Sequence, residues 1–271
     1  MRPPQRPPAP PAARALLAAL LLPALASAAP TTLPPAATTA AAPHRVPDTL
    51  AQRLQPCMAC HGAEGRASRD GYLPRIAGKP AGYLYQQLLN FRDGRRSNAT
   101  MAGFLAHQTD AYLYEMAQHF AALELPHAPP PPARADAAQL ARGERLARQG
   151  DPVRRLPACT ACHGQTLAGA LPTVPGLLGL PRDYLVGQLG AWRTGMRRAI
   201  APDCMADLAR RMSPEDASAV AAWLAARPVP AGARPEPALP QPTPLPCGAV
   251  QTPAPIPSAA QPARPAPGAG R

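Results

Sequence analysis

The chain is short of aromatic residues, which make up 4% of it. It is also short of acids, with 16 Asp and Glu against 28 Lys and Arg. Alternation of apolar and polar residues is missing throughout, which argues against a β-sheet protein. Long apolar runs are missing too. The one candidate, Ala15 to Leu25, is shorter than the ~20 residues a membrane-spanning helix needs. A soluble protein rather than a membrane-embedded one is therefore expected. So few aromatics leave two small domains without the usual bulk for their centres, which suits cores built around something other than side chains.

What is abundant is proline, at 41 of 271 residues. Proline removes a backbone donor and breaks helices, and here it clusters. It is dense over 30–47, over 126–133 and beyond 228. These clusters divide the chain. Residues 1–28 read as a signal peptide, with Arg2, Arg6 and Arg14 ahead of the apolar run and Ala26-Ser27-Ala28 as a small-residue cleavage site. Residues 29–47 form a Pro/Ala/Thr-rich leader, and 126–133 a stiff linker of polyproline type. Residues 229–271 form a Pro/Ala-rich tail, expected to be disordered or loosely packed. Two blocks remain, 48–125 and 134–228. Each is small enough to bury limited apolar surface unaided. An exported protein is expected, in the periplasm of a bacterium, or membrane-anchored if the signal stays uncleaved.

Each block carries one copy of Cys-x-x-Cys-His: Cys57, Cys60 and His61, then Cys159, Cys162 and His163. On one helical turn this spacing puts both sulfurs and the imidazole on the same face. It is the attachment pattern of c-type haem. A four-cysteine zinc site or a redox dithiol is the competing reading. Against zinc stands the long gap between the pairs; against both stands the His-Gly that follows each pair. Two covalently bound haem c groups are expected.

The blocks repeat one another. Tyr83, Leu84, Gln87, Leu88, Phe91, Arg92, Gly94 and Arg96 recur as Tyr184, Leu185, Gln188, Leu189, Trp192, Arg193, Gly195 and Arg197. The apolar spacing is helical, and each glycine is placed to end its helix. Thr109 and Ser213-Pro214 read as starts of a closing helix in each block. Pro47 to Gln55 and Asp136 to Gln149 read as the opening helices. The fold class is mostly α.

Aligning the two closing helices pairs Met101 with Met205. No other methionine is shared between the blocks, so these two are the candidate second ligands to iron, in the loop before the last helix. Met116 reads as helix core. His107 and His119 have no counterparts in the second block, and His44 and His127 sit among prolines. Arg92, Arg96, Arg193 and Arg197 are candidate partners for haem propionates. The two leftover thiols, Cys204 and Cys247, are candidates for a disulfide in an oxidising compartment.

The run from Cys-x-Ala-Cys-His-Gly through the repeated Tyr-Leu-x-x-Gln-Leu helix to a Met before a final helix resembles the cytochrome c4 group of di-haem class I cytochromes c. The resemblance covers 48–228. It implies two tandem class I cytochrome c domains joined by the proline-rich linker. It implies thioethers at Cys57, Cys60, Cys159 and Cys162, and axial pairs His61/Met101 and His163/Met205. It also implies that the carbonyls of Pro74 and Pro175 receive the histidine Nδ1 protons. The expected function is a periplasmic electron carrier between respiratory-chain components, from a quinol-linked complex or dehydrogenase to a terminal oxidase. A di-haem peroxidase, or the electron-accepting subunit of a dehydrogenase, is the alternative. A gas sensor is disfavoured by the lack of a signalling domain.

The net charge is +12. The second block holds thirteen arginines against eight acids, and 44–133 holds nine basic against seven acidic residues. A basic surface steers toward acidic redox partners or a membrane-bound oxidase or dehydrogenase. It also permits association with anionic lipid. Export and haem argue against nucleic acid as partner.

Overall fold

In the computed structural model, which describes residues 48–67 and 72–257, the chain is helix-rich. The signal-peptide reading of 1–28, the leader 29–47 with His44, and the tail beyond 257 lie outside the described residues. Among the described residues no helix is long and apolar enough to cross a membrane.

The first repeat opens with α1 (Leu50–Arg53), capped by Thr49, and α2 (Gln55–His61). The expected opening helix is thus interrupted at Leu54. Pro56 has no N–H to give Gln52, so the chain turns there and restarts. Leu54 is fully buried at that turn. After α3 (Ala81–Arg92) come α4 (Ala99–Leu105) and α5 (Asp110–Ala121). The second repeat holds α6 (Ala137–Arg148), α7 (Thr160–His163), α8 (Arg182–Thr194), α9 (Cys204–Arg211) and α10 (Pro214–Ala225). A last turn, α11, spans Gly248–Gln251.

Local signals explain most boundaries. Thr109 accepts a hydrogen bond from Tyr112 N, Asp136 from Gln139 N, and Ser213 with Asp216 forms a reciprocal capping box. Gly195 ends α8 in the left-handed region, at φ 79°.

Two findings depart from expectation. Met101 and Met205 do not lie in a loop: each sits in the first turn of a short helix, α4 or α9. Asn98 and Asp203 cap those helices by accepting hydrogen bonds from Met101 N and Ala206 N. A small antiparallel pair is also present, β1 (Gly169–Ala170) with β2 (Val174–Pro175). Two-residue strands are too short to show alternation.

There are two apolar cores. One gathers Leu54, Leu84, Leu89, Leu113, Met116 and Phe120 between α3 and α5. The other gathers Leu146, Leu185, Met212, Val220, Trp223 and Leu224 between α6, α8 and α10. Met116 is a core residue, as read from its helical position.

The repeats meet through their α3 and α8 segments. Arg96 and Arg197 form an isolated antiparallel bridge. Ser97 N donates to Met196 O (2.9 Å) and Arg198 N to Arg95 O (2.6 Å). The segment after α5 is gripped by Arg75, whose guanidinium donates to Leu125 O (2.6 Å) and Pro126 O (3.2 Å).

The tail through residue 257 is not loose. Glu236 pairs with β1, Cys204 and Cys247 form a disulfide, and Ala254 packs on the first core. The covalent link expected from the two leftover thiols, with backbone hydrogen bonds that composition does not show, holds a proline-rich segment against the protein.

Candidate functional site

In the first repeat α2 carries Cys57, Cys60 and His61 on one helical stretch. His61 Nδ1 donates to the carbonyl of Pro74, 2.9 Å away. A carbonyl can only accept, so the hydrogen resides on Nδ1 and the Nε2 lone pair is left for a metal. In the second repeat His163 N donates to Cys159 O (2.8 Å), which closes the same single turn. His163 Nδ1 donates to Pro175 O at 2.8 Å.

Burial pushes the pKa of both histidines down, against the pull of the proline carbonyls, and Arg96 adds to the effect at His61. A neutral imidazole is the form that binds iron. Burial also raises the thiols of Cys57 and Cys162, and pushes Cys159 up to about 12. Among the described residues no group of three or more His, Cys, Asp or Glu is placed to hold a metal ion. The two cysteine pairs therefore do not form one zinc site.

Cys57, Cys60, His61, Pro74 and Met101 all line one cavity of about 710 Å³ in the first repeat. Its walls include Ile76, Leu84, Leu88 and Phe120, and it reaches Arg96, Arg197, Tyr184 and Gln188 at the contact between repeats. Asp183 is the one carboxylate among the described residues lining it. Of the other methionines, Met212 is in the second core, while Met196 is exposed at the cavity edge. His107 is exposed, and His119 rests edge-on against Phe120.

The repeated Tyr, Gln and Arg positions converge between the repeats, a role their helical spacing did not reveal. Arg96 donates to Gln87 (3.0 Å) in its own repeat and to Gln188 (2.7 Å) and Tyr184 (3.1 Å) in the other. Arg197 mirrors it, donating to Gln188 (2.8 Å), Gln87 (2.9 Å) and Tyr83 (3.4 Å). Arg197 is buried and stacks on Trp192 at 3.7 Å. Burial, then the neighbouring Arg96, lowers its pKa. Lys79, also at this contact, donates to Gly176 O across the repeats (3.4 Å). None of these three cations has a carboxylate partner among the described ion pairs. Arg92 and Arg193 lie apart from the cluster. Arg92 pairs with Asp93 and Asp110, and Arg193 donates to Met212 O.

Buried cations without anions are costly. Trp192 Nε1 is likewise a buried donor with no partner. An apolar slot with two cysteines, one Nδ1-anchored histidine and a methionine, opening on unneutralised cations, fits a porphyrin with carboxylate arms. The residues present fit haem.

No family model matches the chain. It is 39% identical over 173 residues to a thiosulfate dehydrogenase electron acceptor from Thiomonas intermedia, covering 64% of this chain and 79% of that one. It is 32% identical over 170 residues to cytochrome c4 of Pseudomonas aeruginosa, covering 62% of this chain and 82% of the relative. The chain belongs to the cytochrome c4 family of di-haem c-type cytochromes. Among solved structures, reduced cytochrome c4 from Pseudomonas stutzeri superimposes with a TM-score of 0.56 at 28% identity, over 64% of this chain and 94% of that one. A thiosulfate dehydrogenase from Marichromatium purpuratum gives a TM-score of 0.56 at 36% identity. The match covers 64% of this chain but only 36% of that enzyme. As a cytochrome c4 relative, the protein is an electron carrier, not an enzyme, and carries two covalently bound haem c groups.

Proposed function

We propose that each repeat is one class I cytochrome c domain, 48–125 and 134–228, joined by the proline-rich linker 126–133. Cys57 and Cys60 tether one haem, Cys159 and Cys162 the other. His61 with Met101, and His163 with Met205, are the axial pairs. The iron supplies a one-electron couple, whose potential a thioether ligand raises. The chain's own part is to hold each histidine through a proline carbonyl, to exclude water with apolar walls, and to receive the carboxylate arms at Arg96, Arg197 and Lys79. The observation that carries the reading is the shared cavity of Cys57, Cys60, His61 and Met101, with the histidine hydrogen bond repeated at His163.

The likeness to a thiosulfate dehydrogenase electron acceptor and to a thiosulfate dehydrogenase supports a dehydrogenase as the donor, in particular one oxidising thiosulfate. A membrane-bound oxidase is the natural acceptor. The protein is exported to the periplasm by residues 1–28, and its basic surface docks acidic redox partners and associates with anionic lipid. A peroxidase would need an open iron and a nearby acid–base group. Matched methionines and a cavity whose one carboxylate, Asp183, is exposed and paired with Arg182 favour the carrier.

The test is a visible and near-infrared spectrum of the purified protein, oxidised and reduced, with and without CO. Two haems per chain, a ferric methionine–iron charge-transfer band and indifference to CO are expected. Ready CO uptake by the native protein would overturn the carrier reading.

A further inference from the structure

The segment after α10 has no counterpart in the first repeat, yet it touches both ends of the second haem site. Glu236 lies beside the residues that follow His163. Its N donates to Gly169 O (2.9 Å), its carbonyl accepts from Leu171 N (2.8 Å), and its carboxylate accepts from Gln165 N (2.7 Å). Eleven residues on, Cys247 is bonded to Cys204, the neighbour of Met205.

The next residue, Gly248, donates its N–H to Pro202 O at 2.9 Å, in the turn that leads into α9. A Cβ at Gly248 would stand 2.2 Å from Ala201 O, so only glycine allows this approach. Beyond it the segment crosses to the first repeat. Gln86 Nε2 donates to Ala249 O (3.1 Å), and Ala254 packs on the first core. Near the start of the segment, ahead of Glu236, Arg234 forms an ion pair with Glu124.

We propose that residues 229–257 are a strap that positions His163 and Met205 as an axial pair, with the Cys204–Cys247 bridge as its fastening beside Met205. Cys204, Cys247 and Gly248 are positioning residues: they act on iron ligation through α9. The first site, where α4 is held by the Asn98 cap, touches the strap only by packing and a hydrogen bond and has no covalent tie to it. Opening the bridge lets Met205 leave the iron and makes the second haem alone reactive to outside ligands. The opening step is a thiol–disulfide exchange. An external dithiol gives up two hydrogens and closes to its own disulfide, while the Cys204–Cys247 bond breaks and each sulfur takes one of those hydrogens.

This proposal rests on Met205 as a ligand, and the test separates the two. Mature holoprotein is reduced with ascorbate, which spares disulfides, and titrated with CO before and after dithiothreitol, with thiols counted by alkylation. The CO-reactive share of the haem should rise from none to about half once two thiols appear, because only one of the two irons loses its methionine. In the Met205→Ala protein, whose second haem is already open, the dithiol should add nothing. In Met101→Ala it should open the remaining haem. The Cys204→Ser/Cys247→Ser pair and Gly248→Val reach the same state without a reductant, should the bridge resist it. Two new thiols without CO uptake, or equal added uptake in Met205→Ala, would overturn the strap. A Met205→Ala protein that ignores CO would instead overturn the ligand assignment.

Discussion

The two repeats share a haem-attachment turn, a proline-anchored histidine and a methionine in the first turn of a short helix, yet they secure that helix very differently. In the first, α4 is held by one side-chain cap, Asn98, and carries Phe104, exposed to 56%. Nearby charge is spent at the surface, in Arg92 with Asp93 and Asp110. In the second, Asp203 accepts from both Ala199 N (2.7 Å) and Ala206 N (3.0 Å), and Arg211 donates to Arg155 O (2.7 Å). The disulfide closes beside Met205. Asp216, fully buried, is clamped by Arg142 and Arg154. One residue pattern can thus recur in both repeats while its surroundings differ, leaving one helix lightly held and the other fastened.

The sharpest break in the comparison comes from the ligands. Met101→Ala and Met205→Ala should each convert one CO-inert haem to a CO-binding one, and each should remove part of the near-infrared band. Unchanged spectra in both variants would cancel the axial assignment.

Next in size is the fastening. Replacing Cys204 and Cys247 by serine releases a loop of 43 residues. It should lower stability by about 4 kcal/mol on the chain-entropy account, read as a shift in denaturation midpoint.

The clamp follows. Asp216→Ala leaves two arginines facing a buried gap and should cost about 3 kcal/mol, whereas Asp110→Ala at the surface of the first repeat should cost under ~1 kcal/mol. Equal costs would erase the contrast. Burial by itself would raise the Asp216 carboxyl. Hydrogen bonds from Arg154, Ser213 N and Arg142 outweigh that and hold it well below the usual carboxylate range. A folded pKa below the unfolded one means its contribution is fully present above about pH 3.8 and drains away as the pH falls further. The Asp216→Ala protein should therefore lose less stability than the native one on acidification below that point.

The smallest effect concerns the contact between the repeats. Arg96→Gln and Arg197→Gln each remove a cation bonded to both repeats, and each should lower both haem potentials in a redox titration. A change confined to one haem would show that the two sites are electrically separate.

Much of this was legible locally. The haem turns announce themselves by spacing, and Thr109, Asp136 and Ser213 by capping chemistry that acts within four residues. The pairing of Met101 with Met205 came from the repeat. What the sequence hid is long-range or too short. Gln87 and Gln188 stood in plain view as repeated positions, but their partners lie across the contact, about a hundred residues away. The opening segment, read as one helix from Pro47 to Gln55, is broken at Leu54, ahead of Pro56. α4 and α9 were concealed because a helix of two turns shows little period. The strap's fastening was legible in the two leftover cysteines, but its course was hidden, since most of the bonds that dock it involve backbone groups every sequence possesses.

The crossed pairing of Arg96 with Gln188 and Arg197 with Gln87 bears on how the two repeats stay together. A patch that recognises its own copy is the signature of a two-fold homodimer. Here both copies ride on one chain, so their meeting no longer depends on protein concentration. Tethering by a short connection gives an effective concentration in the millimolar range, and a contact too weak to hold free partners together becomes permanent. Held on one chain, the patch can stay polar and cationic, available to receive charge rather than obliged to supply adhesion.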